Sequence, residues 1–162
     1  MQRDLAGEQL IQQARGFATL KHEGQVDKAG LPYITHPARV ASRLETGYSA
    51  AHVAVAWLHD VIEDQNVTTA ELRQLGFPPD VIDGVVAMTK CDGDGPDEAV
   101  ERACADPIAL IVKAADVADN SDPSRLALLP PELRDKLVAK YGRYRAVLDR
   151  HSAPCFVQDF RA

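Results

Sequence analysis

His59, Asp60, Glu63 and Asp64 fall in a stretch from Ala51 to Asp64 that is otherwise largely apolar. Burying ionised side chains without partners costs several kcal/mol, on the order of a small domain's whole stability margin, unless each is paired or ligated. A second apolar stretch, from Asp106 to Asn120, carries Lys113, Asp116 and Asn120. On a helix, residues four apart share a face, so His59 is expected to stack with Glu63, Asp60 with Asp64 and Asp116 with Asn120; Lys113 lies on the same side as Asp116. If the two apolar helices are core neighbours, their polar stripes meet in one pocket that the loop carrying His36 can close. The candidate metal ligands are then His36, His59, Asp60 and Asp116. Two imidazoles and two carboxylates without a thiolate favour one divalent ion, Mn²⁺ first, with Fe²⁺ or Zn²⁺ as the other options. Glu63 and Asp64 would orient or deprotonate a water molecule there.

The elements that must hold these groups are read as helices throughout. Leu10, Ala14, Phe17 and Ala18 mark an amphipathic helix ending near Gly24. Residues 28–37 read as a loop, after which Pro37 opens a helix capped by Thr35 or His36. A third helix, from about Ser49 to Ile62, is hydrophobic nearly all round and should be central. Thr68-Thr-Ala-Glu71 resembles a capping box for a short helix through Leu75, and Asp80 begins another to about Met88. Cys91-Asp-Gly-Asp-Gly-Pro96 reads as a surface loop that lacks the lysine and strand of a phosphate loop. Asp106 and Pro107 open the second apolar helix, Asp122-Pro-Ser-Arg125 ends it, and Pro131 opens a last helix to about Asp149. The expectation is an all-α helical bundle, one domain over residues 1–162, with a motif core at about 10–125.

Composition narrows the function. The chain has 162 residues, 46% hydrophobic and 26% charged, and a net charge of −6. That balance argues against a nucleic-acid or anionic-membrane surface, although a few local cations could still attract a small polyanion within a Debye length. With 6% aromatic residues there is little material for base-stacking platforms. Cys91, Cys104 and Cys155 are odd in number and widely spaced, as expected of reduced thiols in the cytoplasm. The first residues hold no apolar leader core, and no run approaches the roughly 20 residues of a membrane span. His22, at a helix end, is read equally as solvated surface or substrate contact. His52 and His151 are assigned no function, Trp57 is read as core, and Lys136, Lys140, Arg143 and Arg145 as a solvated helix face.

Three blocks carry a resemblance: His22-Glu-Gly-Gln-Val-Asp-Lys-Ala-Gly-Leu-Pro-Tyr-Ile-Thr-His-Pro37, Trp57-Leu-His-Asp-Val-Ile-Glu-Asp64 and Val112-Lys-Ala-Ala-Asp-Val-Ala-Asp-Asn120. They look like the motifs of HD-domain phosphohydrolases, and within these the chain most resembles the hydrolase domain of RelA/SpoT homologues and the stand-alone small alarmone hydrolases. The resemblance implies an HD-domain bundle binding Mn²⁺ through His36, His59, Asp60 and Asp116. Glu63 and Asp64 would serve hydrolysis, with Lys28 and Lys113 near phosphate and Asn120 at the nucleotide. The implied reaction removes the 3′-diphosphate of ppGpp or pppGpp as pyrophosphate, in a cytoplasmic monomer or homodimer with no nucleic-acid or membrane partner.

Two competing readings stand beside it. The same site could act on an adenine alarmone or a nicotinamide dinucleotide phosphate, or the fold could be a non-catalytic nucleotide-sensing module. Asp27 stands where the resemblance places an arginine, so guanine selectivity is expected to be relaxed and Asp27→Arg to strengthen guanine-alarmone turnover. The Asn120-Ser-Asp-Pro-Ser-Arg125 ending also departs from the pattern.

Overall fold

Val53, Ala54, Val55, Ala56, Trp57 and Leu58 are all buried, so α3 (Ala50–Leu58) has no solvated face over its last two turns. It packs against α1 (Leu5–Lys21), α2 (Thr35–Ser42), α6 (Pro79–Met88) and α8 (Pro107–Asn120). The computed structural model describes residues 4–152; residues 1–3 of the segment read as lacking a leader core, and Cys155, lie outside the described residues. Small side chains let the helices approach α3 closely. Ala14 and Ala18 of α1 are fully buried, and a Cβ on Gly84 of α6 would sit 3.0 Å from Val55 Cγ2. Among the described residues the secondary structure is helical apart from an isolated bridge between Val26 and Pro32, as the all-α expectation requires.

The remaining helices are α4 (Val61–Gln65), α5 (Thr69–Gln74), α7 (Glu98–Cys104), α9 (Pro123–Leu126) and α10 (Pro131–His151). Two apolar clusters form. The larger surrounds α3; the smaller, of Val100, Ala114, Val117, Tyr141, Tyr144, Val147 and Leu148, fastens α10 over α7 and α8. Several starts were legible from their caps: Asp106 accepts from the amides of Ile108 and Ala109, and Thr68 from that of Glu71. The Glu71 carboxylate pairs with Lys21 at 2.8 Å and so ties α5 to the end of α1.

Three boundaries differ from the sequence reading. α1 ends at Lys21, and α2 starts at Thr35 with Ile34 at its cap, so neither Thr35 nor His36 caps it. The helices α7 and α9 lie outside that reading: a Gly- and Pro-rich loop precedes α7, and α9 is only four residues long and begins at Pro123.

The third correction matters most for the site. The expected single helix to Ile62 is broken at His59 and Asp60, with Asp60 at φ −104° and ψ −2° between α3 and α4. His59 Nδ1 donates to the Ala56 carbonyl at 2.8 Å, satisfying one acceptor in the last turn of α3 with a side chain. The chain then turns through α4, which Asn66 closes in the left-handed region at φ 54°. No helix among the described residues is long and apolar enough to cross a membrane.

Candidate metal centre and its cavity

His36 comes from the first turn of α2, His59 and Asp60 from the break after α3, and Asp116 from the middle of α8. The structure brings all four together. His59 Nε2 lies 2.9 Å from Asp60 Oδ2 and 3.8 Å from Asp116 Oδ1. His36 Nε2 lies 3.2 Å from Asp116 Oδ1, 3.8 Å from Asp60 Oδ2 and 3.3 Å from His59 Nε2. Ligand atoms about 2.1 Å from one ion would be separated by roughly 3.0–3.4 Å in octahedral or tetrahedral geometry. The observed distances bracket that range. His36, His59 and Asp60 form a cluster able to hold a divalent metal ion, and Asp116 joins it through both imidazoles.

The ring orientations fit the same use. His59 is fixed by its Nδ1 bond to Ala56, and His36 by an Nδ1 bond of 2.7 Å to Asp119 Oδ2, so each presents Nε2 to the centre. Burial alone would push the His36 imidazole down, but its hydrogen bonds to Asp116 and Asp119 and the nearby carboxylates raise it to about 9. Asp60 is pulled the opposite way: burial would raise it, yet the charges and hydrogen bond of the histidines hold it well below the ordinary carboxylate range. A proton is thus retained where a cation would fit.

Asp119 is the residue that sequence reasoning missed. It is 1% exposed and accepts from His36 Nδ1, from Arg39 Nε at 2.8 Å and from Arg39 Nη2 at 3.2 Å, as well as from Arg125. Its position three residues after Asp116 was the available signal, because residues one turn apart share a helix face and Asp116 was already read as facing the centre. Tyr33 was also missed; its hydroxyl donates to Asp60 Oδ2 at 2.6 Å.

The other two acids, adjacent in α4, reach different partners. Glu63 Oε2 accepts from the Lys90 amide at 3.0 Å, beyond the end of α6, whereas Asp64 Oδ2 accepts from Gln25 Nε2 at 2.8 Å in the loop after α1. Asp60 and Asp64 keep the expected one-turn relation, the Asp64 amide donating to the Asp60 carbonyl at 2.9 Å, whereas the break interrupts the helix that would have stacked His59 on Glu63; the Glu63 and Asp64 carboxylates turn to different partners. Both line a cavity of about 370 Å³ that opens over the His36 and Asp60 side chains.

Lys113 and Asn120 also line it, but each is turned to Asp116: Lys113 Nζ donates to Oδ2 at 2.9 Å and Asn120 Nδ2 to Oδ1 at 2.6 Å. Lys28 and Lys90 are exposed on the wall. Lys140, read as part of a solvated face, instead reaches the cavity with its ammonium 5.4 and 5.3 Å from the Tyr141 and Tyr144 rings. Burial and the neighbouring Lys28 and Lys113 push it down from its ordinary value. Four lysines and Arg125 line the cavity beside Asp27, Asp60, Glu63, Asp64 and Asp116, so five cations offset five carboxylates there, although the chain's net charge is −6.

Asp27 is held by its own loop and by Arg125. Its Oδ1 accepts from the amides of Ala29 at 2.8 Å and Leu31 at 3.0 Å, and its Oδ2 lies 3.4 Å from Arg125 Nη2. Although burial works against it, these bonds hold the carboxyl below its ordinary value. Asp27 is a fastening of its own loop rather than a replaceable side chain facing a base. His22 is buried as well and faces neither solvent nor the cavity.

No family model matches the chain. It is 32% identical over 133 residues to a probable GTP pyrophosphokinase of Mycobacterium leprae, an alignment covering 76% of this chain and 16% of that protein. It is 33% identical over 132 residues to the bifunctional (p)ppGpp synthase/hydrolase RelA of Mycobacterium tuberculosis, covering 76% of this chain and 18% of that one. The chain therefore spans less than a fifth of these relatives' length. Among solved structures it shares the fold of a metazoan ortholog of SpoT described as hydrolysing ppGpp, with a TM-score of 0.76, 23% identity and coverage of 99% and 94% of the two chains.

Proposed function

We propose, starting from this chain's kinship with RelA/SpoT-type proteins and its HD-domain fold, that it is a metal-dependent phosphohydrolase releasing the 3′-diphosphate of ppGpp or pppGpp as pyrophosphate. The observation that carries the reading is the convergence of His36, His59, Asp60 and Asp116 at the floor of a lysine-lined cavity that also holds Glu63 and Asp64. The donor set suits Mn²⁺ best, with Fe²⁺ and Zn²⁺ next. Such an ion would polarise phosphorus and lower the pKa of water.

The protein's own residues supply the rest. Glu63 and Asp64, held apart by Lys90 and Gln25, flank the position where a water would approach and can accept its proton. Lys28, Lys113 and Lys140 offset phosphate charge, and Asn120 moves between Asp116 and the nucleotide. Among the described residues no serine or cysteine lines the cavity, so stabilisation there is electrostatic rather than covalent. The mode of action is that of a cytoplasmic enzyme on a small nucleotide, monomeric or homodimeric.

Asp27 favours keeping a second substrate in view: with its carboxylate fastened to Arg125, position 27 itself offers no cation toward a base, and an adenine alarmone or nicotinamide dinucleotide phosphate could enter. A non-catalytic sensing module is opposed by two acids placed beside a polyanion site. The test is incubation with Mn²⁺ and a panel of guanine, adenine and nicotinamide nucleotides, with products separated by ion exchange. Pyrophosphate from ppGpp is the expected product; orthophosphate, or turnover of the other nucleotides alone, would reject the assigned reaction or substrate.

A further inference from the structure

Behind the cavity wall, three polar side chains form a chain that ends on Asp64. His22 Nδ1 lies 2.6 Å from Gln25 Oε1, and Gln25 Nε2 donates to Asp64 Oδ2 at 2.8 Å. The Gln65 amide donates to the same Gln25 oxygen at 2.5 Å. The donor pattern is fixed at both ends. An ionised Asp64 can only accept, and the Gln65 amide nitrogen can only donate, so Gln25 must face Asp64 with its NH₂ group and His22 with its oxygen. His22 then donates from Nδ1.

The arrangement costs something that simple packing would not. His22 is 2% exposed and leaves Nε2 buried without a hydrogen-bond partner, although its ring already lies 5.0 Å from that of Tyr33. An apolar residue would fill the position without that penalty. Gln25 itself does not line the cavity, while Asp64 does. The backbone holds Gln25 in place independently of its side chain, through the amide of Gln25 to the His22 carbonyl at 3.1 Å and the amide of Tyr33 to the Gln25 carbonyl at 2.9 Å.

We propose that Gln25 is a positioning residue for hydrolysis, a clamp set by His22 and Gln65 that holds Asp64 Oδ2 and leaves the other carboxylate oxygen to face water in the cavity. The inference rests on the phosphohydrolase reading. By occupying one oxygen, the clamp restricts the carboxylate to a single rotamer, which matters because small displacements of a catalytic group cost rate rather than affinity.

The test is a double-mutant cycle with Gln25→Leu, the near-isosteric Gln25→Glu and Asp64→Asn, using Mn²⁺-loaded protein and ppGpp. Gln25→Leu and Gln25→Glu should each lower kcat tenfold or more while KM and metal content stay within twofold of wild type. In the Asp64→Asn background, Gln25→Leu should add less than twofold. Wild-type kcat, or a loss that multiplies undiminished onto Asp64→Asn, would overturn the clamp. A parallel cycle in denaturant unfolding reads the contact itself: Gln25 and Asp64 should couple by at least threefold in the unfolding equilibrium constant. If the wild-type chain turns over no nucleotide, or Asp64→Asn is inactive, that cycle decides alone, and additive losses overturn the proposal. Absent turnover with strong coupling would reject the phosphohydrolase reading and leave the clamp standing as a structural contact.

Discussion

Replacing Asp119 by Asn tests whether the carboxylate behind His36 tunes the centre or only anchors the fold. Its two oxygens receive His36 Nδ1 at 2.7 Å, Arg39 Nε at 2.8 Å and Arg39 Nη2 at 3.2 Å, together with Arg125. An amide keeps one acceptor and turns an NH₂ group against at least one of these donors, whichever way it flips. Removing one partner from a buried charged network costs about 3–5 kcal/mol. Arg39 and Arg125 are 36% and 23% exposed and can regain water, so a loss near 2–3 kcal/mol is expected. In a chain of this size that lowers Tm by about 4–12 °C. Loss of the charge also makes the His36 ring a weaker donor to a cation, and such changes typically weaken metal binding by about 10–100-fold. Competition with a chromophoric chelator measures the affinity and thermal melts the stability. A destabilised mutant with wild-type Mn²⁺ affinity would refute the tuning role and leave Asp119 as an anchor.

Further outcomes follow from the same geometry. His59→Ala should retain no metal after dialysis, because it removes one member of a cluster whose other atoms lie 2.9 Å and more from the vacated nitrogen; one full equivalent in the mutant would reject the ligand set. Glu63→Gln should keep its metal while turnover drops by about 10²–10⁴, as for loss of a general base, and wild-type turnover would leave Asp64 as the sole candidate. In metal-free protein, His36 is raised from 6.5 to about 9, so its contribution is fully present below pH 6.5 and is lost as pH rises through about 9. Melts in EDTA should therefore show stability falling across that window by no more than roughly 3 kcal/mol, whereas Mn²⁺-loaded protein stays flat; a flat metal-free profile would contradict the proton assignment. Asp27→Arg should lower turnover of every nucleotide by unfastening the loop at Ala29 and Leu31 and crowding Arg125, and a selective gain with guanine substrates would show that the loop tolerates the change.

The convergence of the four candidate ligands was legible because its chemistry is local: four polar residues set in or beside apolar helices. The helices around it were legible for a related reason, since caps such as Asp106 and the all-round burial of α3 are written in short windows. What periodicity missed was the break at His59 and Asp60. A side-chain bond to Ala56 ends α3 there, and nothing in the hydrophobic pattern distinguishes that from a continuing turn. The roles of Asp119 and Asp27 depend on His36 and Arg125, 83 and 98 residues away along the chain, and spacing rules within one helix do not reach that far.

Counting charge over the four groups that meet at the centre gives an order of assembly. With His36 protonated, His59 neutral and no cation present, Asp60 and Asp116 are balanced by His36 and Lys113, and the floor of the cavity is neutral. A divalent cation bound there would displace the proton, and Asp60, Asp116 and Lys113 would sum with it to one positive charge. A polyphosphate arriving first would meet a neutral floor flanked by Glu63 and Asp64; arriving second, it meets a positive one. Cation first and nucleotide second is the sequence this wiring favours, with a proton released at the first step.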